Sequence, residues 1–500
     1  MNSTRDNVVF YLNGVRHDVR GDQAIAPVSD YLRYARRLTG TKIVCAEGDC
    51  GACTLLLARP TGDRPWRFEP VNSCVIATAQ LDGAHLLTIE AVADGTAAHE
   101  VQRAMTECHG SQCGFCTPGF VMAMLGHFEH HADDVDFASE KSIKNHLTGN
   151  LCRCTGYLPI VEAGRSVKPG VSPRLTERYH SDAIVSELER ATAASLTITA
   201  ERGTLYAPRS LQQLLSLRAE HPSARLIAGN TDLGVLFNKG KWWPAGDRCE
   251  AISLNGVHEL ARSEVSSTHI TVGALVTLGE LERLCTTRVD ELALMLRVFA
   301  SPQIKSMATL VGNIANGSPI GDTIPALFAL NAELELMSTK GSRWIPISDY
   351  YLGYKQFALR ADELIARVRF ERPAHNQLFR SYKVCQRKDL DISFVSSAYR
   401  LTLDRETITH AQVVYGGVGP TVLALRAVEA QLVGQSLTDV SAMEHIAQAI
   451  EQQVAPRTDV RGSDQARRIL AGNLFRRFVH QCTQSTARLP ATGAEHEVSS

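Results

Sequence analysis

Apolar and polar residues alternate from Val8 to Val19 on either side of Asn13-Gly14, a period-two pattern broken by the dipeptide favoured in two-residue type I′ turns. The pattern predicts that the chain starts as a β-hairpin. Ser29 then reads as a helix cap before a short amphipathic stretch, Tyr31 to Leu38, that stops at Gly40. From about Gly83 the period lengthens. Val101, Ala104, Met105 and Cys108 recur at helical spacing, and Thr117-Pro118 opens a second helix carrying Phe120, Val121, Met124, Leu125 and Phe128. A third helix from Ser142 holds Ile143 and Leu147 and ends at Gly149, and a fourth follows Pro159. These four helices predict a small bundle.

The stretch from Val167 to Ser181 contains two prolines and little periodic apolar content, which reads as a surface linker. From about residue 200 strands and helices alternate in an α+β manner, with strands at Leu226–Ala228, Ile270–Gly273 and Glu333–Met337. Beyond Ala487 the residues are small and polar and predict a disordered tail. Five hundred residues exceed one ordinary core, so several packed units are expected. Charge is balanced, 52 Lys+Arg against 53 Asp+Glu, and offers no basic field to collect nucleic acid or anionic lipid. No export signal precedes Val8, and no apolar run reaches the ~20 residues that span a bilayer. The expectation is a cytoplasmic protein.

Cysteine changes this picture. Nine of thirteen fall between Cys45 and Cys154, leaving Cys249, Cys285, Cys385 and Cys482 for the rest of the chain. In a reducing compartment such clustering argues for metal before disulfide. The first set is Cys45-x4-Cys50-x2-Cys53 with Cys74, the spacing of plant-type [2Fe–2S] ligation. Three thiolates on one loop must wrap a compact two-iron core, and Gly48 and Gly51 supply the backbone freedom to curl. Zinc sites use paired Cys-x2-Cys or Cys/His knuckles instead. Hairpin, helix and cysteine loop are the order of a small ferredoxin-like domain. The second set is Cys113-Gly-Phe-Cys116 with Cys152-Arg-Cys154, which in isolation also fits zinc. Cys108 sits on the apolar face of its helix and reads as a buried core thiol.

Both sets, with Ser111-Gln-Cys-Gly-Phe-Cys-Thr-Pro-Gly-Phe120 and Gly149-Asn-Leu-Cys-Arg-Cys-Thr-Gly-Tyr157, resemble the two-cluster domain of the xanthine dehydrogenase and aldehyde oxidase family. The resemblance implies that Gln112 meets the edge of a molybdopterin beside the second cluster. The family commonly has Gly directly before the first cysteine, where this chain has Val44.

No G-x-G-x-x-G follows a strand and no P-loop occurs. Two other stretches could offer backbone N–H groups to a pyrophosphate: Leu226-Ile-Ala-Gly-Asn-Thr-Asp-Leu-Gly234 and Thr309-Leu-Val-Gly-Asn-Ile-Ala-Asn-Gly-Ser-Pro-Ile-Gly-Asp322. They resemble the family's FAD loops, as does Phe299 to Ser306 between them. Carried over by position, FAD contacts fall on Leu226, Ile227, Ala228, Gly229, Asn230, Thr231, Asp232, Leu233, Phe299, Thr309, Leu310, Val311, Gly312, Asn313, Asp322, Ile365 and Lys383. Val311 replaces a common glycine. Asp389 and Asp391 align with a loop near the NAD face of the flavin.

The resemblance covers roughly residues 8 to 480 and implies an α+β multidomain fold. Its parts are a β-grasp plant-type ferredoxin-like domain over 1–82, a four-helix-bundle [2Fe–2S] domain over 83–166 and a linker over 167–198. An FAD-binding domain of the vanillyl-alcohol-oxidase type follows over 199–375, then a C-terminal CO-dehydrogenase-like flavoprotein domain over 376–486 and a tail over 487–500. It implies electron transfer from a molybdopterin on a separate larger subunit through two [2Fe–2S] clusters to FAD and NAD⁺. The assembly would be two small and two large chains, and the substrate hypoxanthine or xanthine. No protein acid or base is implied on this chain. Other readings remain: another molybdenum hydroxylase acting on aldehydes or N-heterocycles, a stand-alone flavin and iron–sulfur reductase, or a zinc-scaffolded interaction protein.

Overall fold

In the computed structural model, which describes residues 4–59, 66–131, 136–168, 170–241 and 249–486, strands Val8–Leu12 and Val15–Val19 form the expected hairpin. Val8 faces Val19 and Leu12 faces Val15. Asn13 and Gly14 take φ of 52° and 81°, the positive values that a type I′ turn requires. The hairpin enters a five-stranded sheet in the order Val15–Val19, Val8–Leu12, His85–Leu87, Thr54–Ala58, Glu69–Asn72. The Val8–Leu12 and His85–Leu87 strands run parallel. The expected helix differs in its start and winding. Ser29 is buried within it and caps nothing, because Val28–Asp30 begins after Pro27. Its next turn, Tyr31–Ala35, is wound as a π-helix, with Arg36 N–H donating to Tyr31 O at 3.0 Å. Arg37 at φ 60° ends the helix before Gly40.

Helices Glu100–Glu107, Thr117–His131, Glu140–His146 and Leu158–Ser166 make the bundle. Thr117–His131 is buried on every side from Gly119 to Phe128, the signature of a central helix. Its core is continuous with the first sheet through Leu56, Ala58, Phe68 and Leu87. Gly126 lies against Leu56 and Pro70 so closely that a Cβ would come within 3.2 Å of both. Cys108 is half-buried at a helix end, 3.8 Å from Ser166 Oγ, rather than sealed in the core.

The stretch read as a surface linker holds helices Leu175–Tyr179 and Asp182–Ala191 and is pinned to the first sheet, where Arg16 donates to Glu187 at 2.7 Å, and to the helical bundle. Glu129 accepts the N–H groups of Leu175 and Thr176, Arg178 donates to Val92 O and Ala93 O, and Tyr179 Oη donates to Ala91 O. Scattered apolar anchors, Val167, Leu175 and Leu188, are buried beside these polar bonds, too sparse in sequence for periodicity to reveal.

Two sheets follow. One has the order Leu196–Ala200, Gly203–Ala207, Cys249–Ser253, Arg225–Ile227. The other has the order Ser263–Val265, His269–Gly273, Leu364–Glu371, Glu333–Ser338, Gly341–Pro346. The last unit is an antiparallel sheet of Gln377–Val384, Val395–Asp404, Thr407–Gly416 and Leu423–Ala424 covered by Arg426–Leu432, Val440–Gln453 and Asp464–Thr486. Phe475 and Phe478 are buried under that sheet, Phe478 stacking on Tyr399 with ring centroids 4.8 Å apart. The predicted tail from 487 lies outside the described residues. Among the described residues no helix is long and apolar enough to cross a membrane.

Candidate functional site

All thirteen cysteines are free thiols, and eight of them gather in two groups. The loop from Cys45 to Cys53 curls through Ala46, Gly48 and Gly51 at φ of 54°, 75° and 67°. The glycines take this region at little cost, while Ala46 is an added strained position. The curl turns amides inward, and Glu47 N–H donates to Cys45 Sγ at 3.4 Å. Cys53 and Cys74 are buried and Cys45 and Cys50 half-buried. Hydrogen bonding from Cys50 and then Cys74 holds the Cys45 thiol low and pushes Cys50 up, while contact with Cys45 and then Cys53 pushes Cys74 up and holds Cys53 low. Such sharing needs the sulfurs side by side. Asn72 supports the loop by donating to Gly48 O at 2.7 Å. Val44, the departure before Cys45, is 60% exposed and leaves the loop uncrowded.

The second group joins the N-terminal end of Thr117–His131 to the arm after Glu140–His146. Cys113 and Cys154 sulfurs are 3.5 Å apart. Burial, with Cys152 alongside, pushes Cys116 up to about 12. Burial opposes ionisation of Cys152 too, but the Thr155 hydroxyl and nearby amides outweigh it and hold that thiol low. Cys113 and Cys154 are exposed. The two groups touch through backbone: Leu151 N–H donates to Cys50 O at 3.0 Å, and Asn150 Nδ2 to Gly51 O at 3.1 Å. A Cβ on Gly51 would stand 2.2 Å from Gly149 O, and one on Gly119 2.3 Å from Gly51 O. Gln303 fastens the joint, its amide donating to Asn150 Oδ1 at 2.7 Å and Thr54 Oγ1 at 3.2 Å.

Beyond the first group lie the two glycine-rich stretches. Strand Arg225–Ile227 delivers the first and helix Leu233–Asn238 ends it. Asn230, at φ 63°, donates to Val75 O, and Asn238 donates to both Cys74 O and Ala46 O, each at 2.8 Å. The loop thereby grips the backbone of the first cysteine group. It also packs on the turn just before the second stretch, where a Cβ on Gly229 would lie 2.0 Å from Met307 O. Thr309 caps Leu310–Asn316 through Gly312 N–H, and Val311 buries its side chain in the core. Among the described residues the N–H groups of Gly229, Asn230, Thr231, Asp232, Leu310 and Val311 donate to no protein acceptor, and Asn230 Oδ1 is buried without a partner. Unpaired amides on adjoining loops fit the phosphates of a dinucleotide.

The chain is similar to three family models: the "[2Fe-2S] binding domain" over 88–165, the "FAD binding domain in molybdopterin dehydrogenase" over 199–372, and the "CO dehydrogenase flavoprotein C-terminal domain" over 380–482. It is 30% identical to xanthine dehydrogenase of Emericella nidulans over 95% of this chain and 38% of that protein. It is 32% identical to aldehyde oxidase 4 of Cavia porcellus over 87% of this chain and 36% of that protein. The chain belongs to the iron–sulfur and FAD chains of the molybdenum hydroxylase family. It spans well under half the length of these two relatives. Quinoline 2-oxidoreductase from Pseudomonas putida 86 superposes with a TM-score of 0.51 at 26% identity, over 56% of this chain and 96% of the other.

In this molybdenum hydroxylase chain Asp322 and Lys383 meet as an ion pair at 2.8 Å with side chains only 5% and 4% exposed. The pair joins the FAD-binding unit to the C-terminal sheet. Burial raises the Asp322 carboxyl despite the pull of Lys383 and a hydrogen bond from Ser393. The other sequence-predicted contacts are less gathered. A cavity of about 560 Å³ between the first sheet and the FAD-binding unit is lined by Gly229 and Thr309, while one of about 800 Å³ reaches Lys383. Ile365 is buried in its strand and Phe299 packs half-buried on the same core. Asp391 is engaged in closing its own loop, accepting from Arg387 N–H at 2.8 Å and Ile392 N–H at 3.0 Å. Asp389 is half-buried. Gln112 is exposed beside Cys113. Sequence reasoning missed Asn238, Asn150, Gln303 and Ser393. Asn150 and Gln303 lie inside motif segments already singled out, but Asn238 and Ser393 carry no local signal.

Proposed function

We propose that this chain is the small subunit of a xanthine dehydrogenase. It takes electrons from a molybdopterin centre on a larger partner and delivers them to NAD⁺, in the oxidation of hypoxanthine and xanthine to urate. The backbone relay carries this reading: exposed Cys113 and Cys154, the Leu151-to-Cys50 hydrogen bond, then the Asn238 clasp on Cys74 and Ala46. A [2Fe–2S] cluster on Cys113, Cys116, Cys152 and Cys154 would face the partner, and one on Cys45, Cys50, Cys53 and Cys74 would face the FAD. When bound, the clusters carry single electrons and the flavin pairs them into a hydride for nicotinamide.

The residues of this chain hold and insulate that route. The buried Cys53 and Cys74 end keeps water from the flavin side, and Asn238 and Asn230 fix the loop carbonyls facing it. The unpaired amides of residues 229–232 and 310–311 hold the FAD phosphates. The loop of Asp389 and Asp391 lines the side where NAD⁺ approaches. Around the two cysteine groups Val44, Phe115, Leu151, Tyr157 and Leu158 are 40–64% exposed. That apolar rim suits a large protein partner, with Gln112 directed at the pterin and the pair of chains dimerising again.

A second reading has specific support in the similarity to aldehyde oxidase 4 and quinoline 2-oxidoreductase: an aldehyde or N-heterocycle as substrate. The test is anaerobic steady-state turnover of the complex purified with its natural partner. Xanthine with NAD⁺ should give urate and NADH, with about four irons and one flavin per small chain. Turnover of aldehydes or quinoline with none of xanthine would establish the second reading, and a complex lacking molybdenum would defeat both. A zinc-bearing colourless chain would defeat the cluster assignment.

A further inference from the structure

Three histidines in the helical bundle stand together away from the cysteine groups and the flavin loops. His127 and His131 lie one turn apart on Thr117–His131, and His146 ends Glu140–His146. Ring centroids are 4.0 Å apart for His127 and His146, 4.7 Å for His131 and His146, and 5.2 Å for His127 and His131. One ring nitrogen from each lies within 4.8 Å of the other two.

Two of the rings are oriented by backbone carbonyls. His127 Nε2 is 2.7 Å from Phe137 O, and His146 Nδ1 is 2.9 Å from Ser142 O. A carbonyl oxygen only accepts, so those nitrogens carry the protons and the lone pairs remain on His127 Nδ1 and His146 Nε2. Metal-bound imidazoles are arranged in this way, one nitrogen donating to a carbonyl and the other facing the ion. His127 is buried while His131 and His146 are half-buried, which closes the trio toward the core and opens it outward. A nitrogen-only donor set selects zinc, copper or nickel over magnesium or calcium.

We propose that His127, His131 and His146 bind one divalent transition ion of the zinc class, with water completing a tetrahedral shell. The ion ties the end of the central helix to the end of the next. Cys152 follows His146 by six residues, so the tie braces the arm that carries Cys152 and Cys154. This inference stands apart from the proposed substrate and electron route.

The experiment is calorimetric titration of zinc sulfate into the full chain with its native cofactors bound, paired with zinc K-edge absorption of the product. One equivalent should bind, with three nitrogens in a first shell at about 2.0–2.1 Å. His131→Gln and His146→Gln should each weaken binding by about tenfold or more. His445→Gln, on an exposed face of Val440–Gln453, should leave it unchanged. Circular dichroism identifies any variant that fails to fold, and the wild-type first shell then decides alone. No stoichiometric zinc, a shell without three nitrogens, or equal binding by all folded variants would overturn the proposal and leave a stack of packed imidazole rings.

Discussion

Replacing Lys383 with methionine strips the countercharge from Asp322 while keeping most of the side-chain volume. The wild-type pair is 2.8 Å long and almost wholly buried, so water cannot substitute for the lost ammonium. Breaking such a pair costs about 3–5 kcal/mol. Asp322 has one escape, which is to take a proton. Relative to an unfolded aspartate near 3.9, that costs at most about 4 kcal/mol at pH 7 and about 1.5 kcal/mol at pH 5. The sign follows from its raised folded value: its contribution to stability is complete below the unfolded value and is lost as pH rises through the folded one. Loss of Lys383 raises the folded value further, so the deficit of K383M grows with pH. Urea unfolding at pH 5 and pH 7 measures it, from the shift in midpoint multiplied by the slope. In the double variant K383M/D322N no charge is left buried, and most of the pH 7 loss should return. A K383M deficit under about 1 kcal/mol at pH 7, or one equal at both pH values, would falsify the account.

Other perturbations test other joints. Gly51→Ala places a Cβ against Gly149 O in a positive-φ turn, at about 2–5 kcal/mol, and should lower iron per chain, read by metal analysis and visible absorbance. Cys116→Ser should leave about two irons of the four and spare the spectrum of the other cluster, if the two groups load independently. Phe478→Ala removes a ring stacked on Tyr399 and should cost about 3–5 kcal/mol, visible as an earlier melting transition of the C-terminal unit. Thr277→Ala deletes a capping box with Glu280 and should cost about 1 kcal/mol, a small shift in the same scan.

The hairpin at Asn13-Gly14 and the helices after Thr117 and Pro159 were legible in the sequence, because turn chemistry and helical period act over a few residues. The spacing of Cys45, Cys50 and Cys53 was legible for the same reason, since one loop must carry all three. The π-wound turn at Tyr31–Ala35 was not, because it is set by packing of the helix on its sheet. Asn238 reaches Cys74 across 164 residues and Gln303 reaches Asn150 across 153. Ser393 meets Asp322 across 71. The residues between those partners carry no pattern that announces the contact, since each depends on how separate units dock. By itself the sequence determined which thiols and which small-residue loops this protein carries. Only the tertiary structure decided that one cysteine group is exposed at Cys113 and Cys154, while the other is half-buried to buried and its backbone is held by Asn230 and Asn238. Burial and hydrogen bonding between distant backbones are properties of packed units, and no single stretch of chain contains them.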